Sequence, residues 1–185
     1  MKYVFTRALY AVLVPVAMLL MAAAIPQKDL SPSELNLAAQ IGFDLDVLLL
    51  VKEEAMSPLH RLSGYDEDGY QIMATGIVVS VPWNRSDQVL WSLREKLKPR
   101  NYMAYRIEIN NSLKVDRIGI IKGTDQYEIL RVMHTNGDDV DVSNEDVIAK
   151  LKQWEKRTRF EIVGAENGWL EIENTPTAMN SRIDG

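Results

Sequence analysis

Carboxylates supply most of the chemistry this chain can offer. It holds 26 acidic residues, two histidines and no cysteine. Glu171 and Glu173 alternate on a β-like segment, which puts them on one strand face about 7 Å apart. Two carboxylates at that separation can serve glycoside cleavage, although a solvated strand face has the same pattern. Glu53-Glu54 and Asp66-Glu67-Asp68 are further acidic groups. Asp138, Asp139 and Asp141 alternate as hard-cation ligands do. Counted from Asp139, however, the sixth position is Asn144 and the twelfth Lys150, where a calcium loop needs Gly and Glu. An acidic turn before a helix N-terminus accounts for them more simply. His60 and His134 lack the i, i+4 spacing of a helical zinc pair. No G-x-S-x-G motif supports a nucleophilic serine. Gly123-Thr124 lacks the spacing of a phosphate loop. Neither a metal nor a cofactor is expected.

The aromatic residues point to binding. Tyr65, Asp66, Asp68 and Tyr70 lie in a polar stretch, and Trp83 follows Pro82 at a strand end. Exposed Trp and Tyr anchor many protein interfaces. These five residues are the candidate partner-binding set. Trp91 and Trp154 fall on helical faces and are expected in the core.

Local signals assign the elements that must position these groups. Ser31-Pro32-Ser33-Glu34 carries a capping box with proline in the first turn, and Gly42 suits the helix stop. Phe43 to Val51 is an apolar run expected as a buried strand, with a short helix as the alternative. Lys52 to Tyr70 reads as a long polar loop. Gln71 to Val81 is a strand. Ser86 caps a helix running to about Lys98, with Val89, Leu90, Leu93 and Leu97 on one face. Tyr102 to Ile109 alternates as a half-buried strand, turns at Asn110-Asn111 and pairs with Val115 to Ile121. Thr124 caps a short helix, and Asn136-Gly137 is a turn. Ser143 and Asp146 form a second capping box, opening a helix to about Arg157 that buries Val147, Ile148, Leu151 and Trp154. Phe160 to Ala165 and Trp169 to Glu173 are closing strands. The interleaved periods predict a single α+β domain over 25–174: a mostly antiparallel sheet with helices packed on one face. A flexible tail is expected over 175–185.

The segments "TDQYEILRVMHTNG", "EDVIAKLKQWEKR" and "FEIVGAENGWLEIENTP" resemble a bacterial family, domain of unknown function 4253, from Tyr102 onward. The resemblance rests on Asp125 and Tyr127 at the start of a short helix and on Thr135 in the following turn. Trp154 in the amphipathic helix and Gly164, Ala165 and Trp169 in the closing strands complete it. Asp138-Asp139-Val140-Asp141 replaces the Asn-aromatic pair of the family turn, and the C-terminal extension is short. The resemblance implies a fold and no established activity.

Lys2 and Arg7, the apolar run from Ala8 to Leu20 and Ala22-Ala23-Ala24 have the layout of a secretory signal peptide over 1–24. The alternative is a retained N-terminal anchor, since a spanning helix needs about 20 apolar residues. Cleavage would leave 19 basic and 26 acidic residues, a net charge of −7. That balance disfavours nucleic acid and permits a basic protein partner. The expected function is an exported, periplasmic or secreted, non-catalytic protein-binding domain, of which an immunity-type toxin inhibitor is one form. The alternatives are a small envelope hydrolase using a carboxylate pair and an anchored accessory subunit of an envelope complex.

Overall fold

A computed structural model describes residues 29–110, 112–137 and 142–174. The signal or anchor segment, the acidic turn Asp138-Asp139-Val140-Asp141 and the tail over 175–185 lie outside the described residues.

The chain forms α1 (Pro32–Ile41), α2 (Leu45–Ala55), β1 (His60–Tyr65), β2 (Gln71–Pro82), α3 (Trp83–Leu97), β3 (Tyr102–Asn110), β4 (Val115–Lys122), α4 (Tyr127–Met133), α5 (Asn144–Glu155), β5 (Phe160–Glu166) and β6 (Trp169–Asn174). The six strands build one sheet in the order β1-β2-β4-β3-β5-β6. Every neighbouring pair is antiparallel except β3 and β5, which run parallel. This is the α+β, mostly antiparallel architecture the interleaved periods predict.

The helices do not share one face of the sheet. Residues of α1, α2 and α3 pack with Ile77, Val79, Val81, Ala104, Ile118 and Ile120. Residues of α4 and α5 pack with Leu62, Val78, Tyr105, Ile107, Ile121 and Ile162. Strand neighbours alternate between these two cores because their side chains point to opposite faces. For the same reason β3 is buried on both sides, not half-buried: Tyr102, Ala104, Tyr105 and Ile107 all lie within the protein.

Both capping boxes form as the sequence predicts, at Ser31–Glu34 and Ser143–Asp146. Other elements correct the reading. The apolar run after Phe43 is helical: α2 buries Val47, Leu48, Val51 and Ala55 while Leu45 and Leu49 stay exposed. Apolar residues on the outer face hid the helical period. The expected loop from Lys52 to Tyr70 contains the end of α2 and all of β1. β1 is polar except at Leu62, and its other inward position is Gly64. A Cβ there would collide with the Val132 carbonyl of α4, so the strand packs through backbone and carries little hydrophobic signal. Helix α3 starts at Trp83, and Ser86 is buried inside it and caps nothing. At the head of α4, Asp125 and not Thr124 meets the chain: its Oδ1 accepts the Tyr127 N–H at 3.0 Å. Trp91 and Trp154 are exposed on α3 and α5, not core.

Candidate functional site

A crevice opens where the two parallel strands part. β3 and β5 share the register pair Arg106–Gly164. Toward their N-terminal ends, side chains stand in for the strand ladder. Arg94, in the last turn of α3, donates through one terminal nitrogen to the Ala104 carbonyl at 2.8 Å and the Ile162 carbonyl at 2.9 Å. Its other terminal nitrogen donates to Glu161 Oε2 at 2.7 Å. Gln126 works from the other side: its Oε1 accepts the Ile162 N–H at 2.9 Å, and its Nε2 donates to Glu155 at 3.2 Å. Both backbone groups of Ile162 are thus satisfied without a partner strand. A buried backbone polar group left unpaired costs about as much as a lost hydrogen bond.

The resulting cavity has a volume of about 490 Å³, within the range of small-ligand sites. Met103, Tyr127, Ile129 and Phe160 line it with apolar surface, and Lys98 and Glu155 add charge. Tyr127 donates to Glu155 at 2.8 Å, tying α4 to α5. Burial, and then Glu155 accepting its proton, push the Tyr127 phenol above the usual range. The Arg94 hydrogen bond holds the Glu161 carboxyl below its ordinary value, outweighing the opposite effect of partial burial; the charges of Arg94 and Lys98 add to it. Lys98 Nζ lies 3.6 Å from Glu161. Asp125 stands 3.5 Å from Arg131.

The residues singled out in the sequence lie elsewhere. Tyr65, Asp66, Asp68 and Tyr70 share the β1–β2 hairpin. Asp66 Oδ1 accepts the N–H groups of Asp68 at 3.1 Å and Tyr70 at 2.8 Å, so it shapes the turn. Tyr65 is half-buried and donates to Glu166 at 3.3 Å. Tyr70 is 70% exposed and Trp83 56% exposed. Trp83 follows the far end of the 12-residue β2, about 40 Å of extended chain from Tyr70. The structure therefore brings the four hairpin residues together and leaves Trp83 apart. Of the proposed carboxylate pair, Glu171 is engaged by Arg106 at 2.7 Å, while Glu173 is exposed on β6. His60 opens β1, and His134 ends α4 in a left-handed conformation with φ of 46°. Among the described residues, no group of three or more His, Asp or Glu is placed to hold a metal, and no helix is long and apolar enough to cross a membrane.

Arg94, Lys98, Gln126 and Glu155 escaped the sequence reading. Arg94 carried the ordinary signature of a basic residue near a helix C-terminus. Gln126 and Glu155 stand beside Tyr127 and Trp154, whose aromatic rings carry the stronger sequence signal.

Fold and crevice together define an α+β domain whose sheet is split between its parallel strands to form a pocket. Residues 117–181 match the model of a family described as "Domain of unknown function (DUF4253)", so the resemblance seen in the closing helix and strands holds over that stretch. No curated protein and no solved structure matches the chain. The matched stretch supplies one wall of the crevice through Gly123 to Tyr127, Glu155 and Phe160 to Ile162; the other wall comes from α3 and β3, which precede it.

Proposed function

We propose that this chain is an exported, non-catalytic protein-binding domain of the immunity type, which receives a segment of its partner in the crevice between β3 and β5. The observation that carries the reading is the pre-organised cavity of about 490 Å³, whose two walls are joined through Arg94, one of them braced by Gln126. A pocket already stitched by internal bonds loses little freedom when a ligand enters, which favours affinity. Two of its groups, Glu161 and Tyr127, are poorly poised for proton transfer near neutral pH. Glu161 is held as carboxylate by Arg94, and Tyr127 is held as phenol by burial and Glu155. The engagement of Glu171 by Arg106 weighs in the same direction, against the hydrolase alternative. Export rests on Lys2, Arg7 and the apolar run to Ala24.

The test is site-specific photo-cross-linking in the producing cell. A benzophenone amino acid is placed in turn at Thr124 on the crevice, at Tyr70 and at Trp83. One stoichiometric adduct formed from Thr124, reproduced with the two purified proteins and competed away by an unlabelled native copy but not by a copy whose mouth is filled by Thr124→Trp, is the expected result. Adducts from Tyr70 or Trp83 alone would move the interface to those residues. No adduct from any of the three would end the binding reading.

A further inference from the structure

We infer that the crevice takes an acidic segment of the partner, with carboxylates meeting a cationic rim and an apolar side chain entering between the strands. This rests on the crevice being the binding site.

The chain as a whole is acidic, with 21 basic and 26 acidic residues. Residues 94–100 and 150–159 nevertheless hold nine basic residues and two acidic ones. The first segment leads into β3 and the second into β5. Because those strands are parallel, both basic segments come to the end of the sheet where the crevice opens. Lys96 and Arg100 are engaged with Glu54 and Asp46 of α2, and Arg94 is held inside. Lys98 has 81% of its side chain exposed and shares Glu161 with Arg94, at 3.6 Å. That leaves Lys156, Arg157 and Arg159, all exposed on the link between the crevice residues Glu155 and Phe160. Cations at a helix C-terminus answer the helix dipole, but Arg157 and Arg159 lie beyond the last residue of α5.

The acids in the crevice offset only part of this rim: Glu161 is paired with Arg94 and Lys98 and Asp125 with Arg131, while Glu155 accepts from neutral donors and keeps its charge. Glu155 takes the Tyr127 hydroxyl and Gln126, Glu161 takes Arg94, and Asp125 takes the Tyr127 N–H and faces Arg131. Arg157 and Arg159, which pair with no described carboxylate, tip the balance at the mouth toward positive, and Met103, Ile129 and Phe160 give it an apolar wall for a side chain to cover. Complementary charge steers such a segment in and fixes its register. A long nucleic acid or an anionic bilayer would also meet the acidic remainder of the surface, so a short acidic peptide segment fits the charge distribution better.

The test uses the full chain and two peptides with one apolar anchor and opposite charge, Asp-Glu-Leu-Phe-Glu-Asp and Lys-Arg-Leu-Phe-Arg-Lys, followed by amide chemical shifts. The acidic peptide should shift Gly123, Thr124 and Ile162 and bind at least about tenfold more tightly than the basic one, with affinity falling as salt is raised. The surface variant Arg157→Glu/Arg159→Glu should lose about tenfold for the acidic peptide and gain for the basic one. Equal binding of both peptides at those amides would overturn the acidic preference and leave the crevice reading standing. Preference for the basic peptide would reverse it. No shift at those amides with either peptide would remove the crevice reading as well. Capture by phosphatidylglycerol vesicles or duplex DNA without peptide discrimination would also overturn the inference, in favour of a general polyanion surface.

Discussion

Arg94 reaches across the split sheet to the carbonyl of Ile162, 68 residues further along the chain, at 2.9 Å. The same guanidinium holds Ala104 of the other strand. One side chain thus bridges β3 and β5 where the strands themselves have parted, and it sets the width of the crevice.

Arg94→Ala should therefore destabilise the fold by about 2–4 kcal/mol, since it leaves partly buried carbonyls without donors. Arg94→Lys should recover only part of this, because one ammonium cannot reproduce the fork geometry. Urea unfolding of the three proteins checks the order. A loss below about 0.5 kcal/mol in the alanine variant would show that the strands close without the bridge.

Glu34 anchors α1. Burial tends to raise its pKa, but the Lys52 ammonium and the N–H groups of Ser31 and Leu59 outweigh that and hold it at about 2. A carboxyl depressed in the folded state stabilises the fold above its unfolded pKa of about 4.5. That contribution is lost as the pH falls from there toward 2, and it amounts to at most about 3 kcal/mol. Denaturation between pH 6 and about pH 2.5 should show the loss in the native protein. Glu34→Gln should be less stable at neutral pH and flatter through the acid range. Parallel acid profiles for the two proteins would assign the effect to other groups.

Among the described residues, Tyr102, Tyr105 and Tyr127 are shifted upward. Burial is the main cause in each; at Tyr127 and Tyr102 the carboxylates of Glu155 and Asp44 also resist ionisation. A phenol whose folded pKa exceeds the unfolded value near 10 contributes stability below that pH and loses it as the pH rises further. Phenolate absorbance should show Tyr102, Tyr105 and Tyr127 as a delayed group that ionises only with unfolding. Tyr127→Phe should shrink the delayed group by one. Reversible titration of these three tyrosines near pH 10 would contradict the burial of their rings.

Gly64→Ala should cost about 2 kcal/mol or more, because its Cβ would meet the Val132 carbonyl, a backbone atom with little room to give. Gly69→Ala at the hairpin tip makes a useful control. Its Cβ would meet nothing, and the cost there comes from φ of 79° alone. Thermal melts of the two variants separate collision from backbone strain. Equal and small losses would mean that β1 is free to move off α4.

Local chemistry made part of this protein readable without coordinates. The two capping boxes, the strand before Pro82 and the hairpin of β3 and β4 are specified by residues a few positions apart, and they stand where those residues predict. The closing helix and strands carried the family resemblance, which the match over residues 117–181 bears out. Where a signal depended on what lies on the far side of an element, the sequence misled. The outer leucines of α2 made a helix look like a buried run. Gly64 packs β1 through its backbone, and Trp91 and Trp154 took helical positions that the packing leaves outside. The crevice was not legible at all. It depends on Arg94, Gln126 and Ile162 converging from α3, the β4–α4 link and β5, and no spacing along the chain records such a meeting. The sequence determined the elements because caps, turns and periods act over a few residues. Only the tertiary structure decided the site, because hydrogen bonds between distant segments depend on where the sheet brings those segments together.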